Sequence, residues 1–338
     1  MGDTSRHITS FKVENFKRFE SFEMNDLGQF NLIVGDNNVG KTSVLEALLV
    51  DDIPSWLIFN RLLVALEYRN LKYDLNYEDL ELFSNRNLSM NKISYNINFA
   101  FTNINNNVNR RISLDFDKTT SKVSVKGIPN DSTAYILLQK AQINYAYNTP
   151  FVPFYKGHDE DLTEFYSKLE DSKLLKSRFI EALKTIIPDI YDITLSAKSY
   201  RHLIVYQTHI DNSLPLALFG DGALKLFRLL AEIVLNKGSR LMIDEIDTGI
   251  HYSRFREFWK VILRTAKEND VQLFMTTHNE ECIRYFKEVL EEQSFIKYQP
   301  LAKGITLVEN QKSKQVTAHT YSFEQFEHAI NMGNEIRA

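Results

Sequence analysis

Gly35, Asp36, Asn37, Asn38, Val39, Gly40, Lys41 and Thr42 form one run in which two glycines bracket four residues, a Lys-Thr pair follows, and Ser43 comes next. That pattern suits the cradling of phosphates. The glycines allow positive φ and close backbone approach, so that successive amides can curl around an anion. The helix expected to start behind them adds the positive end of its dipole. Lys41 supplies a point charge and Thr42 a hydroxyl for Mg²⁺. Upstream, Phe30 to Val34 is a compact apolar run that reads as a buried strand. Downstream, Ser43 to Val50 carries apolar side chains at helical spacing. Strand, glycine loop and helix in that order lead us to expect ATP and Mg²⁺ held from Gly35 to Ser43.

A second stretch, Arg240-Leu-Met-Ile-Asp244-Glu245, is an apolar strand ending in two adjacent carboxylates. In open α/β sheets that end is where ligands bind. Asp244 is expected to hold Mg²⁺ through water, and Glu245 to polarise an attacking water as general base. Asp-Glu after a strand is common in solvated turns, and it is the phosphate loop upstream that gives this pair a chemical meaning. A third stretch, Leu273-Phe-Met-Thr-Thr277-His278-Asn279, is again a buried strand with a polar end. There His278, as a neutral imidazole, could contact a γ-phosphate and the attacking water.

Bringing three strand ends together requires a sheet. Ile193 to Leu195 and Leu203 to His209 read as strands, Gly222 to Leu235 as a helix, and Leu241 to Ile243 and Leu273 to Thr276 as buried strands bracketing another helix. That alternation predicts a mostly parallel sheet. Ile8 to Met24 reads as a hairpin. Ile93, Tyr95, Ile97, Phe99 and Phe101 alternate, the asparagines of Asn103 to Asn107 supply a turn, and Ile112, Leu114, Phe116, Val123 and Val125 continue the meander. Leu162 to Ile187 reads as helical up to Pro188. Ser322-Phe-Glu-Gln325 is a capping-box pattern opening a short helix through Phe326 and Ile330.

With 43% hydrophobic and 25% charged residues among 338, the chain has the composition of a globular protein. No long uncharged apolar run could span a bilayer, which argues against a membrane subunit. Met1 to Arg6 lacks a basic stretch followed by an apolar one, so no export is expected. The single cysteine, Cys282, rules out intrachain disulfides and paired-cysteine zinc sites and points to a cytoplasmic address. A net charge of -4 exerts no global pull toward nucleic acid, although a local basic groove is compatible with it.

In this order the three stretches resemble the ATP-binding-cassette heads of the overcoming-lysogenization-defect family, in its short form, and its relatives the structural-maintenance-of-chromosomes and recombination-mediator ATPases. The implied fold is α/β: a P-loop nucleotide-binding head with a mostly parallel core sheet, an antiparallel β lobe and a helical lobe. Residues 1–60 and 190–338 would form the core and 61–189 an inserted lobe, all within one module. Ile8-Thr-Ser-Phe-Lys-Val-Glu-Asn-Phe-Lys17-Arg18-Phe19 looks like the group's first strand pair, where Lys17 or Arg18 would reach the nucleotide. Leu218-Phe-Gly220-Asp221-Gly222-Ala-Leu-Lys225 fits the slot of the signature element, although transporter signatures begin Leu-Ser-Gly-Gly. Its amides would meet a γ-phosphate bound by the partner subunit. His251, after Asp244-Glu-Ile-Asp-Thr-Gly-Ile, would lie near the opposite subunit, and Gln139 or Gln142 near the metal.

The resemblance implies a homodimer or larger homo-oligomer, and an ATPase that gates a separate effector, a nuclease or toxin, in defence against phage. A DNA-clamping repair ATPase is the alternative. The interval from Lys41 to Gly222 carries no sequence suited to coiled-coil arms. The stretch after His278 is too short and, as read from the sequence, too poor in strands for a fused nuclease domain, so any nuclease would be a separate chain.

Overall fold

The computed structural model describes residues 7–51, 53–67, 92–103, 107–117, 122–128, 134–137, 149–154, 162, 166–167, 170, 173–184, 187–196 and 202–332. Its strands, in chain order, are β1 Ile8–Phe16, β2 Phe19–Met24, β3 Phe30–Gly35, β4 Lys92–Asn103, β5 Asn107–Asp117, β6 Lys122–Ile128, β7 Ala134–Leu137, β8 Phe151–Val152, β9 Ile190–Leu195, β10 Leu203–Gln207, β11 Leu214–Pro215, β12 Arg240–Ile243, β13 Gln272–Thr276, β14 Ala302–Glu309 and β15 Val316–Tyr321. The helices are Lys41–Ala47, Ser55–Glu67, Lys173–Leu183, Asp221–Leu235, Phe255–Glu268, Glu280–Glu291 and Phe323–Asn331.

The core sheet runs β15-β14-β3-β13-β12-β8. From β14 to β8 all neighbours are parallel, and β15 closes one edge antiparallel to β14. Parallel strands covered on both faces need apolar residues at successive positions. Phe30, Leu32 and Val34 pack into one apolar layer and Ile33 into the other. Leu241 and Ile243 oppose Met242 in the same way, as Leu273 and Met275 oppose Phe274. One layer is completed by the helices Asp221–Leu235, Phe255–Glu268 and Glu280–Glu291, through side chains such as Phe227, Trp259 and Phe286. Full burial of one such side chain stabilises the fold by roughly 1.5–3 kcal/mol. The polar end of Trp259 is satisfied inside, its indole N–H donating to the Cys282 carbonyl at 2.9 Å.

The second layer is shared with an antiparallel sheet ordered β2-β1-β4-β5-β6-β7. Its inward face includes Phe11, Val13, Phe99 and Phe101, which pack with Val44, Leu45 and Leu48 behind the glycine loop. Because β1 pairs with β4, with Val13 opposite Phe99, strand pairing runs across the boundary expected at residue 60. Alternation tells which side chains point inward; it does not tell which strand lies alongside. A small third sheet, β11-β10-β9, sits with the helix Lys173–Leu183, whose Phe179 meets Phe227 edge-on at 4.7 Å.

The segment after His278 corrects the expectation of a strand-poor tail. It supplies β14 and β15, and β14 lies directly against β3, with Gly304 opposite Leu32 and Leu307 opposite Gly35. The Ala302–Glu309 sequence is short and mixed, and its strand identity comes from the ladder that β3 offers. The last helix, Phe323–Asn331, carries the reciprocal capping box between Ser322 and Gln325. Among the described residues no helix is long and apolar enough to cross a membrane.

Candidate nucleotide site

β3 delivers the chain to the glycine loop, and the geometry there requires both glycines. Gly35 has φ +149°, and a Cβ on it would lie 2.7 Å from the Leu307 carbonyl of β14. Gly40 has φ +108°, and a Cβ on it would lie 2.9 Å from Arg18 Cδ. Asn38 takes a left-handed conformation at φ +67°, which asparagine tolerates better than most residues. The buried Lys41 ammonium donates to the carbonyls of Gly35 at 2.8 Å and Asp36 at 3.1 Å, closing the loop on itself. Of the two basic candidates on the β1–β2 turn, Arg18 stands at the loop. It donates to the Asn38 carbonyl and pairs with Glu309 of β14. Lys17 is instead paired with Glu46, one turn along the helix behind the loop.

β12 and β13 end beside this loop. Thr42 Oγ1 lies 3.0 and 3.2 Å from the two carboxylate oxygens of Asp244. Thr276 Oγ1, at the end of β13, donates to Asp244 Oδ1 at 2.7 Å and accepts the Glu245 amide at 2.8 Å. On the other side, the Asp244 amide donates to the Val152 carbonyl of β8 at 2.8 Å. Asp244 is thereby held from three directions. A hydroxyl and a carboxylate this close suit Mg²⁺, which takes few protein oxygens and completes its octahedron with water and phosphate. Among the described residues no group of three or more His, Cys, Asp or Glu could hold a metal. A cation at Thr42 and Asp244 would therefore depend on the phosphates.

Glu245 turns the chain with φ +46°, an uncommon conformation for its type. Its carboxylate is 2.7 Å from His278 Nδ1, with the Glu245 side chain 20% and the His278 side chain 56% exposed. Burial raises the pKa of the Glu245 carboxyl. The charge and hydrogen bond of His278 oppose that, Asp244 adds to it, and Lys41 opposes it. The result is a carboxylate suited to accepting a proton, partnered by an imidazole open to solvent. Behind His278, Thr277 Oγ1 donates to Asp247 Oδ1 at 2.6 Å and accepts the Asn279 amide at 3.1 Å. Asn279 in turn caps the helix Glu280–Glu291, so the residues flanking His278 are fixed on both sides.

Gly220, with φ +86°, caps the helix that begins at the exposed Asp221. Gly222 rests on the turn that follows Glu245: a Cβ there would lie 2.9 Å from the Gly249 carbonyl. His251 is exposed beyond the same turn, its Nδ1 2.9 Å from Ser253 Oγ. Gln139 and Gln142 lie outside the described residues. The strand beside β12 is β8, which runs into Pro153 and Phe154. Sequence reasoning passed over Thr276, Thr277, Asp247 and Lys225. The two threonines were visible as polar residues at the end of a buried strand, but nothing in their spacing says which carboxylates they face. Lys225 sits in an amphipathic helix, where a lysine reads as surface.

Residues 30–284 match the family described as "AAA domain, putative AbiEii toxin, Type IV TA system". The chain belongs to this AAA-domain family. It is similar to an ATP/GTP phosphatase of Helicobacter pylori, 21% identical over 85% of this chain and 90% of that protein. A shorter likeness, 43% over 42 residues and 12% of each chain, joins it to the DNA replication and repair protein RecF of Xanthomonas oryzae pv. oryzae. Among solved structures it is similar to an Smc head bound to the C-winged helix domain of ScpA, with a TM-score of 0.56 at 13% identity over 95% of this chain and 99% of that one. A second Smc head, with an extended coiled coil and bound to the C-terminal domain of ScpA derived from Pyrococcus furiosus, gives 0.55 at 12% identity over 97% and 100%. This AAA-domain chain thus has the α/β fold of an ABC-type P-loop ATPase head, with the mixed sheets and helices expected from its sequence.

Proposed function

We propose that this protein binds ATP with Mg²⁺ and hydrolyses it slowly, as a switch. The observation that carries this reading is the Glu245–His278 pair standing at the strand ends beside Thr42 and Asp244. Lys41, with Arg18 beside the loop, would receive the phosphates, and Thr42 and Asp244 would hold the cation. Bound Mg²⁺ supplies charge neutralisation on the β- and γ-phosphates. Glu245 takes a proton from the attacking water as its oxygen bonds to the γ-phosphorus. The bond to the β–γ bridging oxygen breaks, and ADP and phosphate leave. His278 orients Glu245 and shares that proton. The H. pylori relative's name, an ATP/GTP phosphatase, supports a nucleotide hydrolase.

The open Gly220–Gly222 loop and the exposed His251 fit a homodimer, or a larger homo-oligomer, in which each loop meets the partner's γ-phosphate. Two ATP molecules would then be the adhesive, and hydrolysis would release them. The resemblance to short overcoming-lysogenization-defect proteins, with the toxin–antitoxin description of the matched family, supports a regulatory ATPase that holds a separate toxin or nuclease in defence against phage. A cytoplasmic location accords with the lone cysteine. The RecF likeness favours a second reading, in which the head dimer clamps DNA.

The deciding experiment is co-purification of tagged Glu245→Gln protein from its native host with Mg·ATP, with Lys41→Ala as control. A stoichiometric protein present only with ATP supports the gatekeeper. DNA retained in an ATP-dependent and salt-sensitive manner, without protein, supports the clamp. Wild-type protein that neither binds nor hydrolyses ATP overturns both.

A further inference from the structure

Lys225 lies four residues into the helix that Gly220 caps and is half-buried. The ammonium donates to the Pro153 carbonyl at 3.2 Å. Pro153 directly follows β8, whose Phe151 and Val152 pair with Met242 and Ile243 of β12. The Val152 carbonyl accepts the Asp244 amide at 2.8 Å. The same helix start touches the carboxylate segment a second time, where Gly222 abuts the Gly249 carbonyl. A continuous chain of contacts therefore runs from the Gly220–Gly222 loop through Lys225 and Pro153 to the backbone of Asp244, within one subunit.

We propose that Lys225 is a positioning residue for its own subunit's hydrolytic site, fixing the end of β8 whose Val152 carbonyl holds the Asp244 amide and passing the seating of the Gly220–Gly222 loop on to Asp244 and Glu245. The inference rests on the reading that this site hydrolyses ATP and that the loop meets a partner's phosphate.

A half-buried ammonium with a carbonyl partner costs desolvation at a helix position whose neighbours Leu224 and Leu226 are buried and apolar. Burial depresses its pKa to about 8, helped by Arg228, while the negative charges of Asp244, Asp247 and Glu245 hold the proton on. Those carboxylates are the ones to be aligned. A cation that sees all three compensates their mutual repulsion without occupying the metal position. β8 is a two-residue strand at the end of the sheet order, and the Lys225 bond adds to its pairing with β12 an anchor just past its far end. Adjustment there would reach the Asp244 amide, and small displacements at a reacting centre cost large factors in rate.

The test compares wild type, Lys225→Met and Lys225→Arg by steady-state ATP hydrolysis, ATP binding and thermal melting, with hydrogen exchange of the peptide covering Met242 to Asp247. Lys225→Met should lower kcat on the order of tenfold or more, leave KM for ATP and the melting temperature near wild type, and speed exchange at Asp244. Lys225→Arg, which keeps the charge and the donor, should restore most of kcat. Wild-type kcat in Lys225→Met, or a loss expressed only in KM or melting temperature, overturns the positioning role and leaves the ATPase reading intact. A wild-type protein that binds ATP without hydrolysing it overturns the ATPase reading and this inference with it.

Discussion

Two glycine loops open helices in this molecule, and their surroundings differ. The loop from Gly35 to Thr42 is buttressed at both of its glycines, with Asp36, Asn37 and Asn38 exposed between them. Leu307 of β14, Arg18 of the β1–β2 turn and the buried Lys41 side chain surround it, and Thr42 is already in contact with Asp244. The loop from Gly220 to Gly222 is open. Among the described residues nothing lies within 4 Å of where a Gly220 Cβ would point, Asp221 is exposed, and Leu218 is 69% exposed. Glycines thus open two helices, once within a buttressed loop and once within an open one, which under the proposed function are a nucleotide site and half of a shared one. The first needs only the fold to be competent; the second gains a purpose only when something is placed against it.

Perturbations should separate the two loops, and they fall in a definite order of size. Glu245→Gln removes the proposed proton acceptor and is expected to lower the rate of ATP hydrolysis by roughly 10²- to 10⁴-fold in single-turnover assays. In that variant, size-exclusion chromatography with Mg·ATP should show longer-lived assemblies; hydrolysis at the wild-type rate would take Glu245 out of the mechanism. Lys41→Ala should weaken ATP binding roughly 10- to 150-fold, the value of a hydrogen bond to a charged group, measured by calorimetry on the monomer. Unaltered affinity would contradict the pocket assignment.

Gly40→Ala tests the Gly35–Thr42 loop sterically. It should cost about 1–3 kcal/mol in stability or binding, because a left-handed backbone and a close Arg18 oppose the new methyl. Asp221→Ala probes the open loop. ATP affinity should stay unchanged while assembly of the Glu245→Gln background weakens several-fold, a few tenths to 1 kcal/mol, as for one exposed polar contact; the reverse pattern would refute a role across an interface. Gly220→Ala should have the smallest effect on nucleotide binding by the monomer, none, its backbone strain of about 1–3 kcal/mol at φ +86° and ψ 171° showing in melting alone. Equal effects of Gly40→Ala and Gly220→Ala on nucleotide binding by the monomer would erase the distinction between the loops.

Much of the Gly35–Thr42 loop was legible in the sequence. Glycine spacing, the Lys-Thr pair and the flanking strand and helix are local features, and so is an apolar strand that ends in Asp244-Glu245. Thr276 shows where this stops. Its hydroxyl bridges Asp244 and the Glu245 amide only because β13 lies parallel to β12 with Ile243 level with Met275, a register that neither strand encodes alone. Lys17 and Arg18 make the same point. They are adjacent and alike, yet one meets Glu46 and the other the phosphate loop and Glu309, because successive residues at a turn face different neighbours.

By itself the sequence determined the elements whose signals are short in range: the glycine loop, the buried strand before it and the helix after it, the carboxylate pair and the capping box at Ser322. Each follows from steric freedom, side-chain periodicity or a side chain reaching its own backbone. The tertiary structure alone decided which strands became neighbours. It put β14 from the tail against β3, joined the hairpin before the loop to the lobe after it, and set Lys225 on the carbonyl that follows β8. Those outcomes depend on contacts between residues far apart in the chain. Hydrogen-bond ladders are blind to sequence distance, and only the packed whole fixes which of the available edges each strand takes.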